Sequence, residues 1–210
     1  KDFGDEKLEN NSEKKPEFWM WKRLTGTSNW IVYTTAIDGG SDYLTLNNAN
    51  TSNSGVSPWS TLPTSSVATV GTNNTDTCNA GDNYVMYAWH SVPGYSRIGT
   101  YAGNGNANGP YVDCGFRPAF IMTKSTSNGS YWWEMVDNKR SPINPSQRTL
   151  YANKNDAEYS GSGYNKDIFS NGFKPRGGNG GHNDNAETYL FMAFAEQPEV
   201  TPFGSQSNAR

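Results

Sequence analysis

The chain has 210 residues, a formal net charge of −3 and a pI near 5.4, so it lacks the basic face that a nucleic-acid binder sets against phosphates. Mean hydropathy is −0.79, and no apolar run approaches the roughly 18 residues of a membrane-spanning helix, so no helical membrane insertion is expected. Seven leucines are set against 97 Gly, Pro, Asn, Ser and Thr residues and 28 aromatics, the profile of short aromatic-cored strands joined by many turns.

Residues 1–15 hold nine charges and read as a solvated linker or arm, and with Lys1 in first place the chain reads as a piece of something longer. From Pro16 onward the sequence repeats itself. Pro16-Glu-Phe-Trp-Met-Trp-Lys22 matches Pro118-Ala-Phe-Ile-Met-Thr-Lys124, and Trp30 matches Trp132, both at an offset of 102. Leu44-Thr-Leu-Asn47 matches Leu150-Tyr-Ala-Asn153 at 106, and Tyr84 to Pro93 matches Tyr189 to Pro198 at 105. Two repeats of about 80 residues, 16–94 and 118–198, are therefore expected, with a Gly/Asn-rich connector at 95–117 and a tail at 199–210.

Each matched block reads as a strand, because it is a short apolar run bounded by Pro and by Gly, Ser, Thr or Asn clusters. YVMYAWH and YLFMAFA are apolar on both alternating faces, which predicts interior strands covered on both sides. Turn signals at Asp38-Gly-Gly40, Ala80-Gly-Asp82, Asn128-Gly129, Asn171-Gly172 and Arg176-Gly-Gly178 separate them, and Asn153 to Glu158 offers one helical turn at most. The expected fold is an all-β sandwich of jelly-roll or concanavalin-like kind, with the aromatics on its inner faces.

The candidate sites are few. Gly103-Asn-Gly-Asn-Ala-Asn-Gly109 precedes another strand start, so it reads as a tight connector instead of a phosphate loop. The Asn/Asp loops Thr72–Asn83 and Gly177–Asn185 suit calcium by ligand type, but they match no defined calcium motif and read mainly as turn chemistry, so no metal is assigned. Cys78 and Cys114 read as reduced thiols, and His90 and His182 lack a ligand or triad context. The acids Glu134, Asp137, Asp113, Glu158, Asp167 and Glu196 have no spacing that pairs them across a cleft, so no catalytic residue, cofactor or enzyme activity is assigned. Trp59, Tyr95, Tyr101, Tyr111, Tyr159 and Tyr164 lie in polar loops and are the candidate contacts for a glycan or a protein interface, because flat rings bury area at low entropy cost.

Val92-Pro-Gly-Tyr-Ser-Arg-Ile-Gly-Thr-Tyr101, Gly103 to Tyr111 and Gly115-Phe-Arg-Pro-Ala-Phe120 resemble a lectin-like module of structural proteins in tailed-phage virions, especially those of marine and cyanobacterial phages. Trp133 to Arg140, Ser170 to Lys174, Ala193 to Pro198 and Ser207 to Arg210 continue the resemblance, which spans about 16–210. It implies a virion location on a tail fibre or other appendage, other virion proteins and a host-surface glycan or receptor as partners, and a homotrimer. The first strand, Phe18-Trp-Met-Trp21, and the charged lead-in depart from that pattern. A decoration protein that binds only virion subunits is the first alternative, and a polysaccharide depolymerase the second.

Overall fold

The computed structural model describes residues 7–9, 14–37, 42–52, 64, 67–70 and 76–197. Among them are fourteen strands, one 3-10 turn at Ser162–Tyr164 and no α-helix. The chain divides into two compact units, Lys1–Asn47 with Ser52–His90, and Asn48–Thr51 with Ser91–Arg210.

The first unit contains β1 (Lys7–Glu9), β2 (Phe18–Arg23), β3 (Trp30–Thr34), β4 (Tyr43–Thr45), β5 (Val67–Thr69) and β6 (Tyr84–Trp89). One antiparallel sheet has the order β4-β3-β2-β6, and β1 pairs with β5 in a second. Alternation in β2 and β3 turns Trp19, Trp21, Ile31 and Tyr33 into one core with Val70, where the Trp19 and Tyr33 rings lie 4.6 Å apart. Burying each such side chain contributes on the order of 1.5–3 kcal/mol. Burial also raises the Tyr33 phenol to a pKa of about 12.

The second unit contains β7 (Ser96–Ala102), β8 (Val112–Asp113), β9 (Pro118–Ser125), β10 (Glu134–Asp137), β11 (Leu150–Tyr151), β12 (Asn165–Ile168), β13 (Gly172–Arg176) and β14 (Thr188–Ala195). A five-stranded antiparallel sheet, β11-β10-β9-β14-β7, supplies Tyr101, Ile121, Tyr189 and Phe191 to a core that β12-β13-β8 completes with Val112, Ile168 and Phe173. The fold class is thus the expected all-β sandwich.

The runs β4-β3-β2-β6 and β11-β10-β9-β14 have the same order, and their registers coincide. Phe18 pairs with Trp89 as Phe120 pairs with Phe194, and Val32 pairs with Leu44 as Met135 pairs with Leu150. Single hydrogen bonds correspond as well. Trp30 N donates to Asn47 Oδ1 at 2.8 Å, and Trp133 N to Asn153 Oδ1 at 3.1 Å. Asn79 N donates to the Tyr84 hydroxyl at 2.9 Å, and Asp184 N to the Tyr189 hydroxyl at 2.8 Å. The ladder therefore sets Trp30 against Trp133, one residue on from the Trp132 that the offset suggested.

Other expectations are corrected. The 95–117 connector carries β7 and β8, and Lys7–Glu9 of the charged arm is a strand. The helical turn falls at Ser162–Tyr164 instead of 153–158. β14 is an interior strand, as expected, but β6 ends its sheet among the described residues, with Ala88 exposed and Tyr87 48% exposed. Cys78 and Cys114 are not joined by a disulfide, as expected, and burial pushes the Cys114 pKa up to about 12. Asp38-Gly-Gly40, residues 72–75 of the Thr72–Asn83 loop, and the 199–210 tail lie outside the described residues.

Candidate functional site

Tyr159 and Tyr164 come together in the second unit. Their rings lie 5.0 Å apart at 87°, and Tyr151 on β11 meets Tyr164 edge-on at 6.1 Å. Tyr159 is held by a β-bridge to Thr149, with N–H donors in both directions at 3.0 and 2.9 Å. The chain then folds back over its ring, and Gly161 is required there, since a Cβ would collide with the Tyr159 hydroxyl. The Lys154 ammonium stands 4.7 Å from the Trp132 ring centre and 5.4 Å from that of Tyr151, and it pairs with Asp156. Glu158 is gripped by Arg148 at 2.6 Å and Arg140 at 3.1 Å, and Arg148 foremost lowers its pKa. Tyr159 is 37% exposed and Tyr164 half-buried, so the cluster offers partly open ring faces between fixed charges.

Beneath these rings lies a buried charge cluster. Lys166 Nζ is 2.8 Å from Glu134 Oε2, and His182 Nδ1 is 3.5 Å from the same oxygen, with all three side chains at most 1% exposed. Burial works to raise the Glu134 pKa, but Lys166 and His182 outweigh it and hold the carboxyl below its usual range. Burial, and next the Lys166 charge, lowers the His182 pKa and keeps the ring neutral at neutral pH. The Tyr164 ring packs edge-on against His182 at 5.7 Å and so joins the buried cluster to the surface one. Side chains press on the neighbouring glycines, because a Cβ at Gly180 would strike Tyr131 and one at Gly181 would strike Glu134. Within the Gly177–Asn185 loop, Gly180 and Gly181 answer to this close approach, while Gly177 adopts a positive φ of 104°.

The remaining predicted contacts do not join the cluster. Trp59 lies outside the described residues. Tyr95 packs edge-on against Phe194 at 6.0 Å, and Tyr111, 45% exposed, against Phe169 at 5.9 Å. Tyr101 is a correction: only 8% exposed, it stacks on Tyr189 at 5.1 Å and donates its hydroxyl to the His182 carbonyl at 2.8 Å, so it is core and no surface contact. Of the six acids, Glu134, Asp137, Glu158, Asp167 and Glu196 each form a salt bridge, while Asp113 accepts from Gly115 N at 3.3 Å. In the Asn/Asp loops, Asp76 accepts from Asn29 N, Asp82 pairs with Arg23, and the Asn183 amide contacts Asn104, Asn106 and Gly177.

Trp132, Tyr151 and Lys154 were not among the contacts that sequence reasoning proposed, because it weighted loop aromatics, while Trp132 and Tyr151 fall in repeat blocks that read as strands. Lys166 and its pairing with Glu134 were missed too, because the partners are 32 residues apart on different sheets and no spacing signals them. No curated protein and no solved structure matches the chain. A family model described as "Domain of unknown function (DUF7483)" matches residues 7–198, which takes in strands of both units, and the chain belongs to that family.

Proposed function

We propose that the chain is a non-enzymatic structural module of a tailed-phage virion appendage that binds a host-surface glycan through the Tyr151–Tyr159–Tyr164 face. The observation that carries this reading is the pair of perpendicular, partly open tyrosine rings fixed over a rigid buried base. A sugar lays its C–H face on such a ring while its hydroxyls reach the charged groups of Lys154, Arg148 and Glu158. Several copies on one appendage, a trimer in the arrangement the resemblance implies, turn weak single contacts into avidity. The commitment of five acids to salt bridges favours this reading over a depolymerase. The test is a glycan array and host-cell binding assay with wild-type protein, Tyr159→Ala, and Tyr111→Ala as the distant control. Tyr159→Ala is expected to weaken binding by about tenfold or more, with Tyr111→Ala unchanged. Absence of binding to any host glycan, or equal binding by all three proteins, would sink the proposal.

A further inference from the structure

β6 and β14 occupy the same place beside β2 and β9, yet only β14 has a strand, β7, on its far side among the described residues. The bond from Leu24 N to Asn83 O, 2.7 Å, fixes the hydrogen-bonding phase of the β2–β6 ladder. Antiparallel alternation then gives Val85, Tyr87 and Trp89 to β2 and turns the backbone N–H and C=O of Met86 and Ala88 outward. In the second unit the residues at those two places, Phe191 and Ala193, pair with Gly99 and Arg97 of β7.

Exposed strand edges invite pairing unless they are short, charged or interrupted. β4 has three residues and β11 two, and β7 carries the exposed Arg97. β6 has none of these protections. Its six residues, YVMYAW, include no charge and no proline, and the Tyr87 ring stacks on Trp89 of the same strand at 6.2 Å and on Trp30 of β3 at 6.5 Å.

We infer that β6 is a docking edge for an extended segment of a partner polypeptide, which adds antiparallel to it as β7 adds to β14. The chemistry of that segment follows from β7. It is five to seven residues long, free of proline, and presents apolar or β-branched side chains toward Val85 and Tyr87, where β7 sets Thr100 and Ile98 against Leu190 and Met192. Gly99 is needed in β7 because the Phe191 ring would stand 3.0 Å from a Cβ there. Met86 replaces that ring, so the partner strand can carry a side chain opposite it. A second β6 is the weaker occupant, since its two-fold register sets Tyr87 against Tyr87 and has no counterpart elsewhere in the molecule, whereas β14–β7 is a working template.

The probe is a labelled peptide with the sequence of residues 94–104, titrated into the whole chain by fluorescence anisotropy. Saturable one-to-one binding is expected, with slowed hydrogen exchange at the Met86 and Ala88 amides. N-methylation of the peptide at the positions of Arg97, Gly99 and Tyr101, the edge that β14 uses, is expected to weaken binding at least ~10-fold. N-methylation at Ile98 and Thr100 is expected to leave it unchanged. In the protein, Ala88→Pro removes only an outward N–H and is expected to weaken the unmodified peptide alike, while the N-methyl pair gives the same answer without altering the protein. Four results each overturn the inference: no saturation by about 1 mM, equal binding of both N-methyl peptides, binding indifferent to Ala88→Pro, or Met86 and Ala88 amides already protected by self-association of the chain alone. None of these outcomes depends on whether a glycan binds.

Discussion

In the row of the ladder where the first unit places Thr45, Ile31, Trp21 and Met86, the second places Tyr151, Glu134, Thr123 and Phe191. Ile31 and Trp21 fill their row with apolar volume. Glu134 instead brings a carboxylate into the sandwich, and Lys166 and His182 close around it. One backbone scheme thus carries two kinds of row, an apolar one and one that holds a buried ion pair, while both units keep a hydrophobic core. The difference teaches that ladder register is set by backbone pairing and strand pleat, while the chemistry of each row is free to vary as long as every buried charge is matched.

The sharpest way to break this comparison is at Glu134. Glu134→Leu alone leaves the Lys166 ammonium buried without its partner and is expected to cost about 3–5 kcal/mol in urea unfolding. Glu134→Ile with Lys166→Met remakes the row on the pattern of the first unit and is expected to recover most of that loss. A double variant as unstable as the single one would show that the ionic row is not exchangeable for the apolar one.

Next in size is Lys124, fully buried, with Nζ donating to the carbonyls of Ala49 at 3.1 Å and Ser125 at 2.6 Å. Its counterpart in the first unit, Lys22, is only half-buried and donates to the Ser28 carbonyl. Burial depresses the Lys124 pKa from 10.5 to about 8. Below that value both the folded and the unfolded chain hold the proton. Between it and the ordinary lysine value the unfolded chain holds more, so stability rises with pH, by about 3 kcal/mol over the whole window. Buried tyrosines with raised pKa values oppose the trend above about pH 10, so chemical denaturation between pH 8 and 10 is the measurement. Lys124→Met is expected to flatten the slope there, and an unchanged slope would remove Lys124 as its source.

Smaller effects sharpen the equivalence of the two ladders. Tyr189→Phe removes a hydroxyl that accepts from Asp184 N and donates to the Gly180 carbonyl at 2.6 Å, and is expected to lower stability by about 1–3 kcal/mol. Tyr84→Phe breaks the matching bond at a half-buried position and is expected to cost about 0.5–1.5 kcal/mol by thermal unfolding. Asn47→Ala and Asn153→Ala each delete the acceptor for a backbone N–H, that of Trp30 and of Trp133, at about 1 kcal/mol apiece. A loss at only one of the two asparagines would mean that the shared register does not carry a shared energy.

The strands were legible where composition and boundaries agreed. Pro16 precedes the run that becomes β2, Pro118 opens β9, and the low leucine content left little room for helices. The exposure of β6 was hidden, because YVMYAW and YLFMAFA look alike and only a neighbouring strand decides which is interior. Trp132 and Trp133 are adjacent, so sequence offers either as the mate of Trp30, and the pleat chooses the second. In the candidate site Tyr159 and Tyr164 were visible as loop aromatics. Tyr101 was misplaced with them, since a tyrosine in a strand inside a glycine-rich stretch carries no local mark of burial. The Glu134–Lys166 pair is a long-range contact between sheets, and no short spacing encodes it.

The Asn183 side chain is fully buried. Its Nδ2 reaches Asn104 Oδ1 and the carbonyls of Asn106 and Gly177, and its Oδ1 accepts from Asn104 N at 3.0 Å. One side chain therefore acts as a clasp on the glycine-asparagine stretch, which composition alone would suggest for a flexible hinge. For anyone grafting a tag or foreign epitope into this protein, 103–109 is a closed position, because an insertion there would pull the clasp open.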